Sequence, residues 1–529
     1  MKRYKAFLGL GLALGLLSGC TDRFDDMNTN PGAVTDANLK YVLPYVEEQA
    51  TRVDCTPYQR ADNLYAQFYC QYFTNTTTGF TTDRYGYNDS WSQDGFWTPY
   101  YTVLKHMKVA KESAAANPSM TNVLQMIRII TAKNTIEMTD LYGDIPYFEA
   151  GLGNTQSRYD SQESIYRDVF KELTEAASTL SQNLAGQETC SADNDLIFAG
   201  DTQKWMRLAN SLRLRYAMRL ASVDPDLSRQ EAEAALKAGV MESNDDNAYI
   251  ECRGDGGGAG WGHPLYQMAS WHGFAISSTF YDILCNLSSV EDPRKELWIG
   301  LVKQYADSLV VGHEDNYVGE KFIALRNGMN DTEIGLVPVG TFSEAWGLQA
   351  FPKYNSKGDA SAVGTSVTLP LKIMNYAEVC LLKAEAALRG YSGAGSAQQN
   401  YEDGIRASFA DERSFLSDSD KKLSDTSNDD TYITTGDVAW SSDPNKQLEQ
   451  IITQKWLALY PSGVEAWAEV RRTGYPKMIP VMHSEDPNIN PAQGEFISKI
   501  RYIDSERREN AANALSPSLN QGQGDGSTV

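Results

Sequence analysis

The chain is poor in the residues that carry much familiar chemistry. Five histidines are scattered over 529 residues, too thinly for a multi-histidine metal centre. There is no Cys-x-x-Cys spacing, Gly-x-Ser-x-Gly turn, His-Glu-x-x-His helix or Walker-type phosphate loop. Zinc-ribbon, serine-hydrolase, zincin and P-loop chemistries therefore lack their signatures. Positive charge is also scarce, with 47 Lys and Arg against 69 Asp and Glu, a net of −22. Such a balance argues against nucleic acid, whose binding rests on neutralising phosphates, and against a polybasic lipid-surface binder. The one long apolar run, Ala6 to Leu17, falls short of the roughly 20 residues that span a bilayer.

That run follows Lys2, Arg3 and Lys5 and ends in Leu17-Ser18-Gly19-Cys20. A basic start, a dozen apolar residues and small residues before a cut site make a secretory signal peptide over residues 1–19. Cys20 in this setting resembles a bacterial lipobox, which implies lipidation of its thiol and a mature chain held by acyl chains. Residues 20–31 then read as a polar tether ending in Pro31. Asp22, Asp25 and Asp26 resemble a surface-export signal of Bacteroidetes lipoproteins.

The aromatic content is weighted towards rings with polar tips, 29 Tyr and 10 Trp against 17 Phe. Such rings suit half-wet binding surfaces, though most should pack in a core. Beyond Cys20 six cysteines remain, and six allow 15 pairings, so none is assigned. Cys380 falls in an apolar helical stripe and reads as a buried small hydrophobe.

Helical periodicity dominates the rest. Leu39, Val42, Leu43 and Val46 open a first helix, and residues 58–73 form an aromatic one. Residues 74–93 mix polar, Gly and aromatic residues, as an exposed functional loop does. Helices follow over 123–142, stopped by Gly143 and Pro146, over about 160–180 with Ser161 or Ser164 as cap, and over 205–220. In the last of these Arg207, Arg213, Arg215 and Arg219 must flank the apolar stripe or pair with carboxylates, since a lone buried charge is costly. Residues 251–274 are Gly-rich and loop-like, 277–287 return to helix, and 300–370 are mixed. A helix over 374–389 stops at Gly390, 417–435 is an acidic solvated loop, and 446–472 gives two helices split at 460–463. The tail from 514 to 529 is polar. The fold class is mainly α, with tetratricopeptide-like helix pairs forming a superhelix that carries irregular, loop-rich insertions over residues 32–513.

These segments, in this order behind a lipobox, resemble the SusD/RagB family of outer-membrane nutrient-binding lipoproteins. The resemblance is carried by Asn28-Thr-Asn-Pro31, LYGDIPYFEA (141–150), KWMRLANSLRLRYAMRLAS (204–222), DPRKELW (292–298), NYAEVCLLKAEAALRG (375–390), the stretch 451–476 ending RRTGYP, and IRYIDSERREN (500–510). It implies a cell-surface protein that captures an oligosaccharide, or a peptide in the RagB case. The ligand would pass to a SusC-type TonB-dependent transporter without catalysis. The shared motifs are mostly scaffold, so Trp456, Trp467, Arg471 and Arg472 are expected to be structural.

Sugar capture needs flat apolar faces for the C–H side of a pyranose and polar groups for its hydroxyls. Two loops offer that mixture: Arg84, Tyr85, Tyr87, Asn88 and Trp91 in one, and Trp261, His263, Tyr266 and Trp271 in the other. They are expected to meet on one face, with some of their rings pinning loops to the scaffold instead. Two rivals stand beside this reading. A glycosidase needs two carboxylates facing each other across the bond, and pairs such as Asp245/Asp246 or Glu291/Asp292 arise by chance among so many acids. A protein-interaction scaffold predicts a stable protein partner and no small ligand. No cofactor is expected; structural Ca²⁺ in residues 418–430 is an option, but that run lacks EF-hand spacing and solvation is the simpler account.

Overall fold

The computed structural model describes residues 38–151, 156–252, 263–269, 271–300, 302–305, 317–321, 323–337, 342–343, 345, 369–415 and 424–514. Cys20, the tether, Trp261 and the tail beyond Ala514 lie outside the described residues. The longer helices are α1 (Leu43–Thr51), α2 (Thr98–Ala116), α3 (Thr121–Tyr142), α4 (Gln162–Leu180), α5 (Thr202–Arg219) and α6 (Pro225–Ala238). They continue as α7 (Ser278–Asn286), α8 (Tyr376–Leu388), α9 (Ala397–Ser414), α10 (Pro444–Ala458) and α11 (Gly463–Thr473). Each helix from α2 to α6 packs on the next, and α8 packs on both α9 and α10. The fold is mainly α, built of helix pairs as expected.

Local chemistry explains the boundaries. Ser161, not Ser164, caps α4: its hydroxyl accepts from Ser164 N at 3.2 Å. Gly143 and Gly390 follow α3 and α8 at φ 78° and 72°, a region open to Gly at little cost. At the start of α11 a Cβ on Gly463 would stand 2.6 Å from Gln67 N. Only Gly lets α11 come that close to the helical segment Gln59–Gln67.

The strands are few and short: β1 (Phe73–Asn75), β2 (Ala248–Ile250), β3 (Phe274–Ile276), β4 (Val302–Tyr305), β5 (Tyr317–Lys321) and β6 (Leu371–Met374). They pair as β1–β3, β2–β6 and β4–β5, all antiparallel. Two segments read as loops carry helix. Asp429–Thr434 is helical, because Arg413 and Arg406 take up Asp429 (2.6 Å) and Asp430 (3.0 Å). Pro264–Ala269 is a short helix within 251–274.

The arginines of α5 are paired, Arg213, Arg215 and Arg219 as their burial requires and Arg207 at a part-exposed edge. Arg207 meets Asp246 at 2.9 Å, Arg213 meets Glu231 at 2.5 Å, Arg215 meets Glu378 at 2.5 Å, and Arg219 meets Glu465 at 2.5 Å and Asp140 at 3.4 Å. The last two join a buried cluster with α10 and α11. Lys455, wholly enclosed, lies 3.4 Å from Glu469 and 3.7 Å from Glu378. Arg472 bridges Glu469 (2.6 Å) and Glu385 (2.7 Å). Arg471 lies 3.9 Å over the Trp467 ring and donates to Asp140 O. Arg215, Arg219, Lys455, Arg471 and Arg472 thus face Asp140, Glu378, Glu385, Glu465 and Glu469, one carboxylate for each cation. Trp456 is fully buried beside Tyr72, with its indole N–H donating to Cys70 O at 3.2 Å. These tryptophans and arginines are structural. The six cysteines after Cys20 are all free thiols, and Cys380 is buried.

Candidate functional site

Residues 74–93, expected as an exposed loop, are folded into a frame. β1 pairs with β3, Phe73 opposite Ile276 and Asn75 opposite Phe274. That pairing continues outward: Thr76 N donates to Gly273 O at 3.2 Å and its hydroxyl to His272 O at 2.7 Å. The turn beyond is closed by Asn75, whose amide donates to Thr77 O and Phe80 O at 2.8 and 2.9 Å. The stretches of 74–93 and 271–276 therefore lie side by side.

Asp83 is the buried hub of this frame. It accepts from Thr74 Oγ1 (2.9 Å), Asn75 N (3.2 Å), Asn327 Nδ2 (2.7 Å) and Gly328 N (2.8 Å). Burial pushes its carboxyl pKa up, and these hydrogen bonds only partly pull it back. Arg84 is buried too. Its guanidinium reaches Glu485 at 2.7 Å, Met329 O at 3.0 Å and Asp331 at 3.2 Å. Burial opposes its charge, but the two carboxylates outweigh that and raise its pKa. Asp331 also accepts from Gly79 N at 3.1 Å, and this bond, with Arg84, lowers its pKa. Asn330 and Glu333 close a reciprocal capping box on Asp331–Ile334, while His483 Nε2 lies 3.0 Å from Glu333.

The candidate ligand residues divide sharply in this frame. Arg84 and Tyr85 are turned inward, so they position the frame and do not face solvent; Tyr85 packs against Tyr69 in a left-handed backbone conformation at φ 66°. Tyr87 is half-buried, its hydroxyl on Asp89 at 2.9 Å and Arg501 5.0 Å over its ring. Asn88 caps the turn Asp89–Ser92, accepting from Trp91 N at 3.2 Å. Trp91 is half-buried and meets Phe80 edge-on at 4.8 Å. Trp271 is 51% exposed, beside the Thr76–Gly79 turn through its neighbours His272 and Gly273.

His263 is displaced from the expected platform. It is 2% exposed, edge-on to Tyr58 at 5.9 Å, and lines an internal cavity with Arg52, Asp62, Lys133 and Glu137. Burial, helped by Lys372, lowers its pKa to about 3, so it is neutral at ordinary pH. That cavity, about 30 Å³, is the size of a water site and not of a sugar. Tyr266 lies in the helix Pro264–Ala269. The two loops touch at Thr76, His272 and Gly273, none of them a candidate ligand residue, and Trp91 and Trp271 are partly open rings.

Polar and apolar groups outside the two loops border the frame. Asp331 and Glu485 offer half-exposed carboxylates beside Arg84, and Leu336 (77%) and Met482 are exposed apolar neighbours in sequence. Only the Asn330–Glu333 capping spacing was readable in advance. Among the described residues no group of three or more His, Cys, Asp or Glu side chains could hold a metal ion. Residues 417–423 of the acidic run lie outside them.

The comparisons with known proteins agree with this architecture. A family model described as SusD-like, SusD and RagB outer membrane lipoprotein, matches residues 26–528. The chain is similar to a chitin-binding SusD homologue from Flavobacterium johnsoniae, with 27% identity and a TM-score of 0.73, covering 93% of this chain and 98% of that one. It is similar to a SusD homologue from Bacteroides uniformis, with 26% identity, TM-score 0.72, and 92% and 97% covered. A SusD homologue from Bacteroides thetaiotaomicron gives 25%, 0.70, and 93% and 98%. No curated protein matches the sequence. With a family match spanning almost the whole length and a fold of the same helix pairs, the chain belongs to the SusD/RagB family of outer-membrane lipoproteins.

Proposed function

We propose that the protein captures an oligosaccharide at the outer face of the outer membrane and passes it to a SusC-type TonB-dependent transporter, without catalysis. The observation that carries this reading is Trp271, a large aromatic held half in solvent beside the Thr76–Gly79 turn. A ring so exposed costs stability nothing to keep flat against a pyranose, while the threonines and the carboxylates of Asp331 and Glu485 suit its hydroxyls. Two structural relatives are described as chitin-binding, which makes chitin oligosaccharides the first ligands to try. Cys20 is the anchoring residue in this reading, and contacts with the transporter fall on the scaffold away from the ligand loops and near the tether.

Isothermal titration of the mature protein against chitin oligosaccharides, other glycans and peptides tests the reading. A true anchor ring cut to Ala costs about 2 kcal/mol, roughly 30-fold in Kd. Trp271→Ala is expected to lose that much for the glycan that binds, with no cleavage products after prolonged incubation. Unchanged affinity in Trp271→Ala, or hydrolysis of the glycan, overturns it.

A further inference from the structure

Trp271 is the one tryptophan among the described residues that stands exposed, and the backbone beside it is strained. The ring sits in a short connection between two buried ends. Behind it the helix Pro264–Ala269 is rooted by Leu265, Met268 and Ala269, all buried. Ahead of it Phe274 opens β3, buried, with its ring 4.7 Å from that of Phe73 and its backbone paired with Asn75. The chain has only residues 270–273 in which to leave the helix and turn into the strand.

Hydrogen bonds fix how it does so. Trp271 N and His272 N donate to Met268 O and Ala269 O, each at 3.0 Å, and wind the helix down through its last turn. His272 then takes φ 55°, the left-handed conformation that reverses a chain at a helix end and that Gly adopts freely. An L residue takes it at a cost; His and Asn tolerate it best, and for a β-branched residue it is a true outlier. In this conformation the His272 carbonyl accepts from the Thr76 hydroxyl at 2.7 Å. The next carbonyl, Gly273 O, accepts from Thr76 N at 3.2 Å and from Thr77 Oγ1 at 3.4 Å. Strain of this kind persists where the surroundings over-determine it, and it gathers at sites that have a geometry to keep. Both flanks are locked here, so a change at His272 cannot be passed on to the helix or to β3. It must be taken up within 270–273, where Trp271 is the large side chain.

We infer that His272 and Thr76 are positioning residues for the Trp271 ring: His272 through its left-handed backbone and not its imidazole, Thr76 through the hydroxyl it donates to His272 O. The inference deepens the proposed function and rests on Trp271 as the ring that meets the glycan. A ring that lies flat on a pyranose loses much of its contact when tilted, so a torsion one residue away reaches the affinity. The same reasoning sets an order among substitutions at position 272 that an imidazole contact would not produce. Gly and Asn, which accept the left-handed region, should behave as His does, and Val should not.

The mature full-length chain is read in two ways. Hydroxyl-radical footprinting without ligand compares oxidation of Trp271 with that of Trp440, which is half-buried in the helical scaffold. The Trp271 rate should change by about threefold in His272→Val and in Thr76→Val, and stay at the wild-type value in His272→Gly and His272→Asn. Isothermal titration with the hexamer of N-acetylglucosamine reads the consequence. His272→Val should weaken Kd about tenfold and His272→Gly about twofold or less, and in a Trp271→Ala background His272→Val should cost nothing further. Melting curves show which variants are folded, and if His272→Val does not fold, Thr76→Val carries the footprinting test. Equal losses in His272→Gly and His272→Val, additive losses in the double variant, or an unchanged Trp271 rate in the valine variants overturns the inference. Trp271→Ala that binds as tightly as wild type defeats the ligand-ring reading alone. Footprinting then still decides whether His272 and Thr76 set the ring, as it does if the wild type leaves this glycan unbound.

Discussion

Two clusters of paired charges hold this molecule together, and they are built on opposite terms. In the scaffold, Arg215, Arg219 and Lys455 meet Glu378, Glu465 and Glu469 with every partner buried. In the frame around Asp83, Arg84 is 5% exposed but its partners Asp331 and Glu485 are 51% and 49% exposed. A fully buried pair cannot lose one member without stranding the other in a medium that does not solvate it. A half-exposed carboxylate can be replaced by water, or can share its lone pairs with an incoming hydroxyl. The first arrangement makes a rigid scaffold, the second leaves carboxylate lone pairs open at the surface.

The sharpest way to break this contrast is Glu469→Gln. It should cost about 3–5 kcal/mol in urea unfolding, since Lys455 and Arg472 are left without their full countercharge. The pH dependence has the matching sign. Burial pushes the Glu469 carboxyl up, but Arg472, Lys455 and Arg219 overcome it and hold its pKa far below 4.5. Its contribution is therefore complete above pH 4.5 and is lost as pH falls through the depressed folded value.

Next in size is Asp83→Ala. It strands four donors in the frame and should destabilise by about 1–3 kcal/mol. Because its pKa is raised above 3.8 by burial, Asp83 works the other way: its contribution is fully present below that value and is lost as pH rises through the folded pKa. Glycan affinity should fall in Asp83→Ala although Asp83 touches no ligand, and loss of stability with full affinity would deny it a positioning role. Glu485→Gln should cost only about 0.2–1 kcal/mol, with the difference fading at high salt. Smallest is Trp271→Ala, which should leave stability within about 0.5 kcal/mol while glycan affinity collapses. A large stability loss there would make Trp271 a packing residue.

The same contrast explains which parts were legible in advance. The pairing of Arg207, Arg213, Arg215 and Arg219 could be demanded from periodicity alone, because a helix that buries guanidinium groups must find carboxylates. The helix stops at Gly143 and Gly390 and the start at Ser161 follow from backbone chemistry within a few residues. The frame looks like an open loop in the sequence because every partner that buries it is remote. Asp83 and Arg84 are claimed by Asn327, Gly328, Met329, Asp331 and Glu485, some 240 to 400 positions away. The burial of His263 is hidden from the sequence for the same reason: its cavity is closed by α1, α3 and the β6 segment, none of which is local to it.

By itself, then, the sequence determined the helical class and the demand for buried ion pairs, since these depend on period, caps and the cost of a lone charge, while the order of its motifs carried the family resemblance. Which aromatics face solvent was decided only by tertiary structure. Tyr85, Trp91 and Trp271 are equivalent as letters, and differ because β1–β3 pairing and the Asp83 hub turn the first inward, half-cover the second and leave the third in water.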